Sequence, residues 1–292
     1  SAIIGLGFLP NVNEIRKVSI DILSVILSTL GFGGLVYGVS VAGEHGWTST
    51  LVITSIIIGV IALILFSLRQ TKMENPMLNL KAFKYPLFVL GVVMSFITFF
   101  NMLSLLVVLP MYMQMALLML AFTTGLVLLP GSLLNCILAP TIGRMFDKFG
   151  PKAVITPGTI FVVIGYILYA SFGTDTATWL LVVTHIIMML GIGMVLASTQ
   201  TNTLNSLPRE YYPDGIALTQ TVQQVAGAMG IAIMVSVLSA KQSSYLTTVN
   251  DNLAEATASG SSFVFTLGLI LAIVNLVLSL FMKKPGEVKL KG

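Results

Sequence analysis

Apolar residues in this chain come in long unbroken blocks, not in the short alternations of strands or the one-sided stripes of soluble helices. Blocks near the length of about 20 residues that crosses a bilayer lie at 19–41, 49–68, 86–110, 121–142, 153–172, 179–204, 216–239 and 262–282. They predict eight membrane-spanning helices and an all-α helical bundle. The segments between them are polar or basic: 11–18, 42–47, 69–84, 173–178, 205–215, 240–261 and a tail at 283–292. The third and fourth blocks are hard to part, because 111–120 is itself apolar. In 69–84, Pro76, Met77, Leu80 and Phe83 suggest a short amphipathic piece lying at the interface. Residues 1–10 are apolar but too short to span, and read as the last turns of a preceding helix in a carboxy-terminal fragment.

Composition agrees with a lipid solvent. Of 292 residues, 56% are hydrophobic and 9% charged, with a mean hydropathy of +0.97, whereas soluble domains carry about 25% charged residues. The net charge of +4 loses its nucleic-acid connotation once the cations are placed. Spans of alternating direction put Arg16, Lys17, Arg69, Lys72, Lys81, Lys84, Arg144, Lys148, Lys152, Arg209, Lys283, Lys284, Lys289 and Lys291 on one side, and Lys241 alone on the other. That asymmetry marks the first side, with the carboxy terminus, as cytoplasmic in a multi-pass cell-membrane protein. The single cysteine, Cys136, has no intrachain disulfide partner.

The densest charge lies in the shortest connection. Residues 85–143 and 153–174 contain no Lys, Arg, Asp or Glu; between them stand Gly143, Arg144, Asp147, Lys148, Gly150, Pro151 and Lys152. Gly143 would let two helix ends approach, Gly150 can take the positive φ that ends a helix, and Pro151 suits a first turn. Asp147 would stand near the amino end of the next helix, where a carboxylate is favoured. A turn with topogenic charge and a conformational switch would both use these residues. The spacing Gly143-x-x-x-Asp147-Lys148-x-Gly150-x-Lys152 resembles the G-x-x-x-D-[RK]-x-G-[RK]-[RK] loop of the major facilitator superfamily of transporters, with Pro151 as the departure. In that family the loop is cytoplasmic and helps set the inward/outward equilibrium.

Three further stretches, Leu30-Gly31-Phe32-Gly33-Gly34-Leu35, Thr123-Thr124-Gly125-Leu126-Val127-Leu128-Leu129-Pro130-Gly131 and Gln223-Gln224-Val225-Ala226-Gly227, narrow the resemblance. They are similar to the fourteen-span drug:proton antiporters of the EmrB/QacA type, especially their lincomycin-resistance (LmrB-like) branch. The resemblance implies a linking helix pair at 19–68, a cytoplasmic connector at 69–84 and a carboxy-terminal six-helix bundle at 85–282. It implies alternating-access export of drug-like cations or amphiphiles, driven by the proton gradient without another cofactor, in partnership with a missing amino-terminal bundle. It also leads one to expect a proline near Ala197-Ser198, and none is there.

Polar residues inside spans are costly, and are functional or join helices. Gln220, Gln223, Gly227 and Gly230 recur on one face of the seventh span, with Gln224 beside them; the amides could line a substrate cavity or act as interhelical glue. Phe96, Phe100 and Asn101, with Phe99 and Met102, could form a wall for a bulky apolar ligand, or face lipid. Gly34, Gly38, Ala226, Gly227 and Gly230 are candidate close-packing positions. His185 could relay protons or rest neutral in a hydrogen bond. No carboxylate falls mid-span, and only Asp21 stands at a membrane boundary, so proton-coupling acids would belong to the missing bundle. There is no Gly-x-Ser-x-Gly elbow or His-Glu-x-x-His helix, which argues against a membrane hydrolase. A uniporter or symporter for another small solute, or an inactive truncated fragment, is the alternative.

Overall fold

The computed structural model describes residues 21–73, 76, 78–249 and 251–284. The expected helix tail at 1–10, Arg16, Lys17, Met77 and the tail from 285 onward lie outside the described residues. The described chain forms eight helices and no strand: α1 (Ile22–His45), α2 (Thr50–Lys72), α3 (Pro86–Met115), α4 (Ala121–Phe149), α5 (Pro151–Ala170), α6 (Thr178–Asn205), α7 (Tyr212–Thr248) and α8 (Leu253–Ser279). All eight are long and apolar enough to cross a membrane. Hydrocarbon offers no partner to a free N–H or C=O, so a segment that crosses it must satisfy its backbone internally. Hydroxyls inside the helices follow the same constraint: Ser104 donates to the Phe100 carbonyl (2.8 Å) and Thr203 to that of Thr199 (2.6 Å).

Helix α3 packs against α6, α7 and α8; α5 packs against α6 and α8; α4 lies chiefly against α6. Helices α1 and α2 form an antiparallel pair that docks on the bundle through α1 against α7. At one end of the bundle Tyr112, Tyr169, Phe172 and Phe265 stack together, with the Tyr169 and Phe265 rings 5.2 Å apart. The Tyr112 hydroxyl donates to the Gly173 carbonyl at 2.6 Å and so fixes the α5–α6 turn to α3. At the other end Phe88, Ala82, Leu207 and Leu218 close the core.

Two crossings depend on the lack of a side chain. A Cβ on Gly59 of α2 would lie 2.7 Å from the Leu35 nitrogen, and one on Gly34 would lie 3.0 Å from the Gly59 Cα. Gly38 continues that seam against Ile56. On α7, a Cβ on Gly230 would strike the Phe100 backbone of α3, while Ala226 is fully buried and Gly227 sits under Leu103.

Several boundaries differ from the sequence reading. The polar stretch 240–261 was expected to be a loop; α7 instead continues to Thr248 and α8 begins at Leu253. With 37 residues, α7 is about 55 Å long against about 30 Å of hydrocarbon, so its last turns stand clear of the bilayer. There Gln242 donates to Thr257 (2.6 Å) and Tyr245 to Glu255 (3.0 Å), and the Asn252 side chain caps α8. The charged stretch 143–152 is also largely helical: α4 runs through it to Phe149, leaving only Gly150 (φ +84°) before Pro151 opens α5. Gly143 meets nothing within 4 Å, so no second helix end approaches it among the described residues. Asp147 lies in the last turn of α4 and not at the start of α5. The connector piece, Leu80–Lys84, is a 3-10 turn whose Ala82 and Leu80 pack on the end of the bundle, whereas Phe83 stays exposed. Helix α6 runs unbroken through Ala197 and Ser198.

A polar network ties the α1–α2 pair to the connector and the connector to α7. Arg69 donates to both carboxylate oxygens of Asp21 (2.6 and 3.0 Å), and Ser24 donates to Asp21. Gln70 donates to Ser24 (2.7 Å) and accepts from the Leu78 backbone (3.1 Å); the next residue, Asn79, donates its N–H to Asp214 of α7 (3.0 Å). The Arg69 guanidinium, with the Ser24 hydroxyl, holds the Asp21 carboxyl well below the usual carboxylate range.

These contacts give two predictions. Gly230→Leu should lower the melting temperature in detergent markedly, by the 1–3 kcal/mol or more that overpacking costs; Gly33→Ala, at a site with nothing within 4 Å, should be neutral or mildly stabilising. Asp21 titrates lower folded than unfolded, so its contribution is complete above an unfolded pKa of about 3.9 and is lost as the pH falls toward its folded value. Melting curves from pH 6 downward should therefore show an acid loss of stability that Asp21→Asn lacks.

Candidate functional site

Helix α7 carries its amides roughly 12–18 Å from its first residue at a rise of 1.5 Å per residue, within membrane depth. Gln220, Gln223 and Gln224, with Ala217 and Thr221, form one wall of an open cleft of about 680 Å³. Phe99 of α3 and Gln200 of α6 complete it. Gln220 and Gln224 are exposed to the cleft, and Gln223 is buried at its floor. Thr221 spends its proton on the Ala217 carbonyl (2.8 Å) and offers the cleft an acceptor. Ala226, Gly227 and Gly230 stand one to two turns further along α7, where they let it lie directly on α3. The same helix thus packs at one level and opens at the next.

The lining is four primary amides, one hydroxyl, one methyl and one phenyl ring. Amides both donate and accept, so such a wall can bind neutral hydroxyl-, amide- or ether-bearing molecules in several orientations, while Phe99 offers an apolar face. No carboxylate or cation lines it.

Phe96, Phe100 and Asn101 do not form part of this wall. Phe100 is buried beneath Gly230, and Phe96 stacks on it with ring centroids 6.3 Å apart. Asn101 points into the bundle, where its amide donates to the Gly268 carbonyl of α8 (3.2 Å). Of the α3 aromatics, Phe99 faces the cleft, because successive helical residues turn by about 100°. Gln200 was not singled out from the sequence; the signal was the run Ser198-Thr199-Gln200-Thr201-Asn202, five polar residues at the end of an apolar span. His185 is buried against Gly131, 3.3 Å from the Tyr169 hydroxyl, and belongs to the packing of α4, α5 and α6.

At the α4–α5 corner, Arg144, Asp147, Lys148 and Lys152 are all exposed. Among the described residues Asp147 forms no ion pair, and Lys148 lies over the Phe149 ring at 5.1 Å. With successive helices alternating in direction, Arg69, Lys72, Lys81, Lys84, Arg144, Lys148, Lys152, Arg209, Lys283 and Lys284 fall at this end, and Lys241 at the other.

The comparisons with known proteins agree with this architecture. The chain is 46% identical over 289 residues to the lincomycin resistance protein LmrB of Bacillus subtilis (strain 168), covering 97% of this chain and 60% of that protein. It is 45% identical over 284 residues to the LmrB of Listeria monocytogenes serovar 1/2a, covering 96% and 60%. The multidrug efflux pump LfrA of Mycolicibacterium smegmatis is 21% identical over 238 residues, or 82% of this chain and 47% of that protein. The chain thus spans about 60% of the length of its LmrB relatives. The family model of the Major Facilitator Superfamily matches residues 15–231. On that match and on its all-helical membrane fold, this chain belongs to the Major Facilitator Superfamily of membrane transporters.

Proposed function

We propose that this chain is the larger part of a proton-driven exporter of drug-like molecules, and that the α3–α6–α7 cleft forms one wall of its substrate path. The observation that carries the reading is the cluster of Gln200, Gln220, Gln223 and Gln224 in an open cleft at membrane depth. Uncharged amides facing a cleft there are costly unless a ligand, water or another helix meets them. The kinship with proteins named for lincomycin resistance and multidrug efflux supports a drug-like substrate. On this reading the hinge end faces the cytoplasm, the partner surface is a further helical bundle, and the coupling carboxylates lie on that bundle, since every described Asp and Glu falls in the terminal turns of a helix or in a connection.

The exposed amides supply the test. In the full-length transporter, Gln220→Leu and Gln224→Leu should each weaken drug efflux about two- to tenfold, the worth of one neutral hydrogen bond of about 0.5–1.5 kcal/mol, with normal surface level. Efflux by the unmodified protein should stop when the proton gradient is collapsed. Unchanged efflux in both variants removes the cleft from the substrate path, and efflux that persists without the gradient removes the antiport.

The exposed corner at Gly150 is proposed as a conformational switch, with Asp147 meeting a partner in one access state only. A charge-assisted contact of about 1.5–3 kcal/mol would change an inward/outward ratio by roughly ten- to a hundredfold. Asp147→Asn should accordingly cut efflux and shift the inside-versus-outside accessibility of introduced cysteines while surface level stays normal. Normal efflux with an unshifted ratio reduces the corner to a turn.

A further inference from the structure

Where α3, α5, α6 and α8 meet, a small polar cavity interrupts the apolar core. Its walls include Thr98 and Asn101 of α3, Thr159 and Tyr166 of α5, and Asn275 of α8, closed by apolar residues of α5, α6 and α8. Asn101 and Asn275 are 4% and 5% exposed. The room left for the centre of a water-sized sphere is about 10 Å³.

The orientation of both amides follows from their partners. Asn101 directs its nitrogen at the Gly268 carbonyl, which can only accept (3.2 Å). Thr98 gives its proton to the Met94 carbonyl (2.8 Å), so it must accept from the Asn275 nitrogen (2.8 Å). Each side-chain oxygen is thereby left over and buried, and neither Asn101 Oδ1 nor Asn275 Oδ1 meets a donor among the described residues. The hydroxyls on the wall cannot help them. Tyr166 donates to the Asn101 carbonyl (3.1 Å) and Thr159 to that of Thr156 (2.8 Å). Each buried acceptor without a donor carries a desolvation penalty comparable with the gain from burying a large apolar side chain.

We infer that this cavity is a binding site for a single water molecule, whose two protons go to Asn101 Oδ1 and Asn275 Oδ1 and so join α3 to α8. One water needs about 10–15 Å³ of such room and two to four polar partners, and the cavity supplies both. A monovalent cation of similar size is disfavoured because no carboxylate lines the wall, and a buried charge without a counter-charge is heavily penalised. The site lies on the opposite side of α3 from the amide cleft and is independent of what the protein transports.

The test uses the full-length protein. A structure at a resolution that shows ordered solvent should reveal one peak within hydrogen-bonding distance of both Oδ1 atoms; a cavity without that peak overturns the inference. Melting temperature should be the same in sodium chloride and in choline chloride at equal ionic strength, and a rise specific to sodium would assign the site to a cation instead. No hydrogen bond joins the two amides directly, so a shared water would couple them beyond the separate α3–α8 bonds that each makes. Asn101→Leu and Asn275→Leu should each lower the melting temperature, and the double variant should lose clearly less than the sum of the two. Strict additivity overturns the bridge, and if the variants fail to fold, the structure and the salt comparison still decide.

Discussion

The α3–α7 crossing is the contact on which the rest of the bundle depends. In lipid, apolar side chains gain nothing by leaving the solvent, so helices associate through close van der Waals fit and a few polar contacts. Gly230 supplies that fit by lying on the Phe100 backbone, with Gly227 and Ala226 extending the seam. The crossing also decides which faces are left over. With Phe100 committed to α7 and Asn101 to α8, Phe99 turns toward α6 and the amides of α7. Packing and cleft are two levels of one helix pair.

Much of this was legible in the sequence because the bilayer imposes a length and forbids charge. Eight apolar blocks became eight helices, and Gly150 and Pro151 ended one helix and began the next as their backbone preferences dictate. The errors arose where the chain leaves hydrocarbon. Polarity at 240–248 and 144–149 looks like a loop, yet a polar segment without a glycine or proline has no reason to stop being helical once water can solvate its side chains. Two such segments simply extend their helices outward.

Within the membrane the limit was different. A polar residue in a span announces that it has a partner but not which one. Asn101 and Gln223 are both amides inside spans, yet one closes on the Gly268 carbonyl and the other faces the cleft. The distinction rests on the rotation of α3 against α7 and α8, a relation among residues more than 100 positions apart. Gln200 was hidden for a related reason: the polar run around it contains both buried members, such as Thr199 and Asn202, and one that opens onto the cleft.

The connector between the outer pair and the bundle is held at two adjacent residues, Leu78 by Gln70 of α2 and Asn79 by Asp214 of α7. Helices α1 and α2 stand beside the bundle like an outrigger, with most of α2's side chains exposed. A change in the tilt of α7 would therefore be transmitted to the outer pair by two routes, the α1 face packed on it and the connector bonded to Asp214 and Gln70.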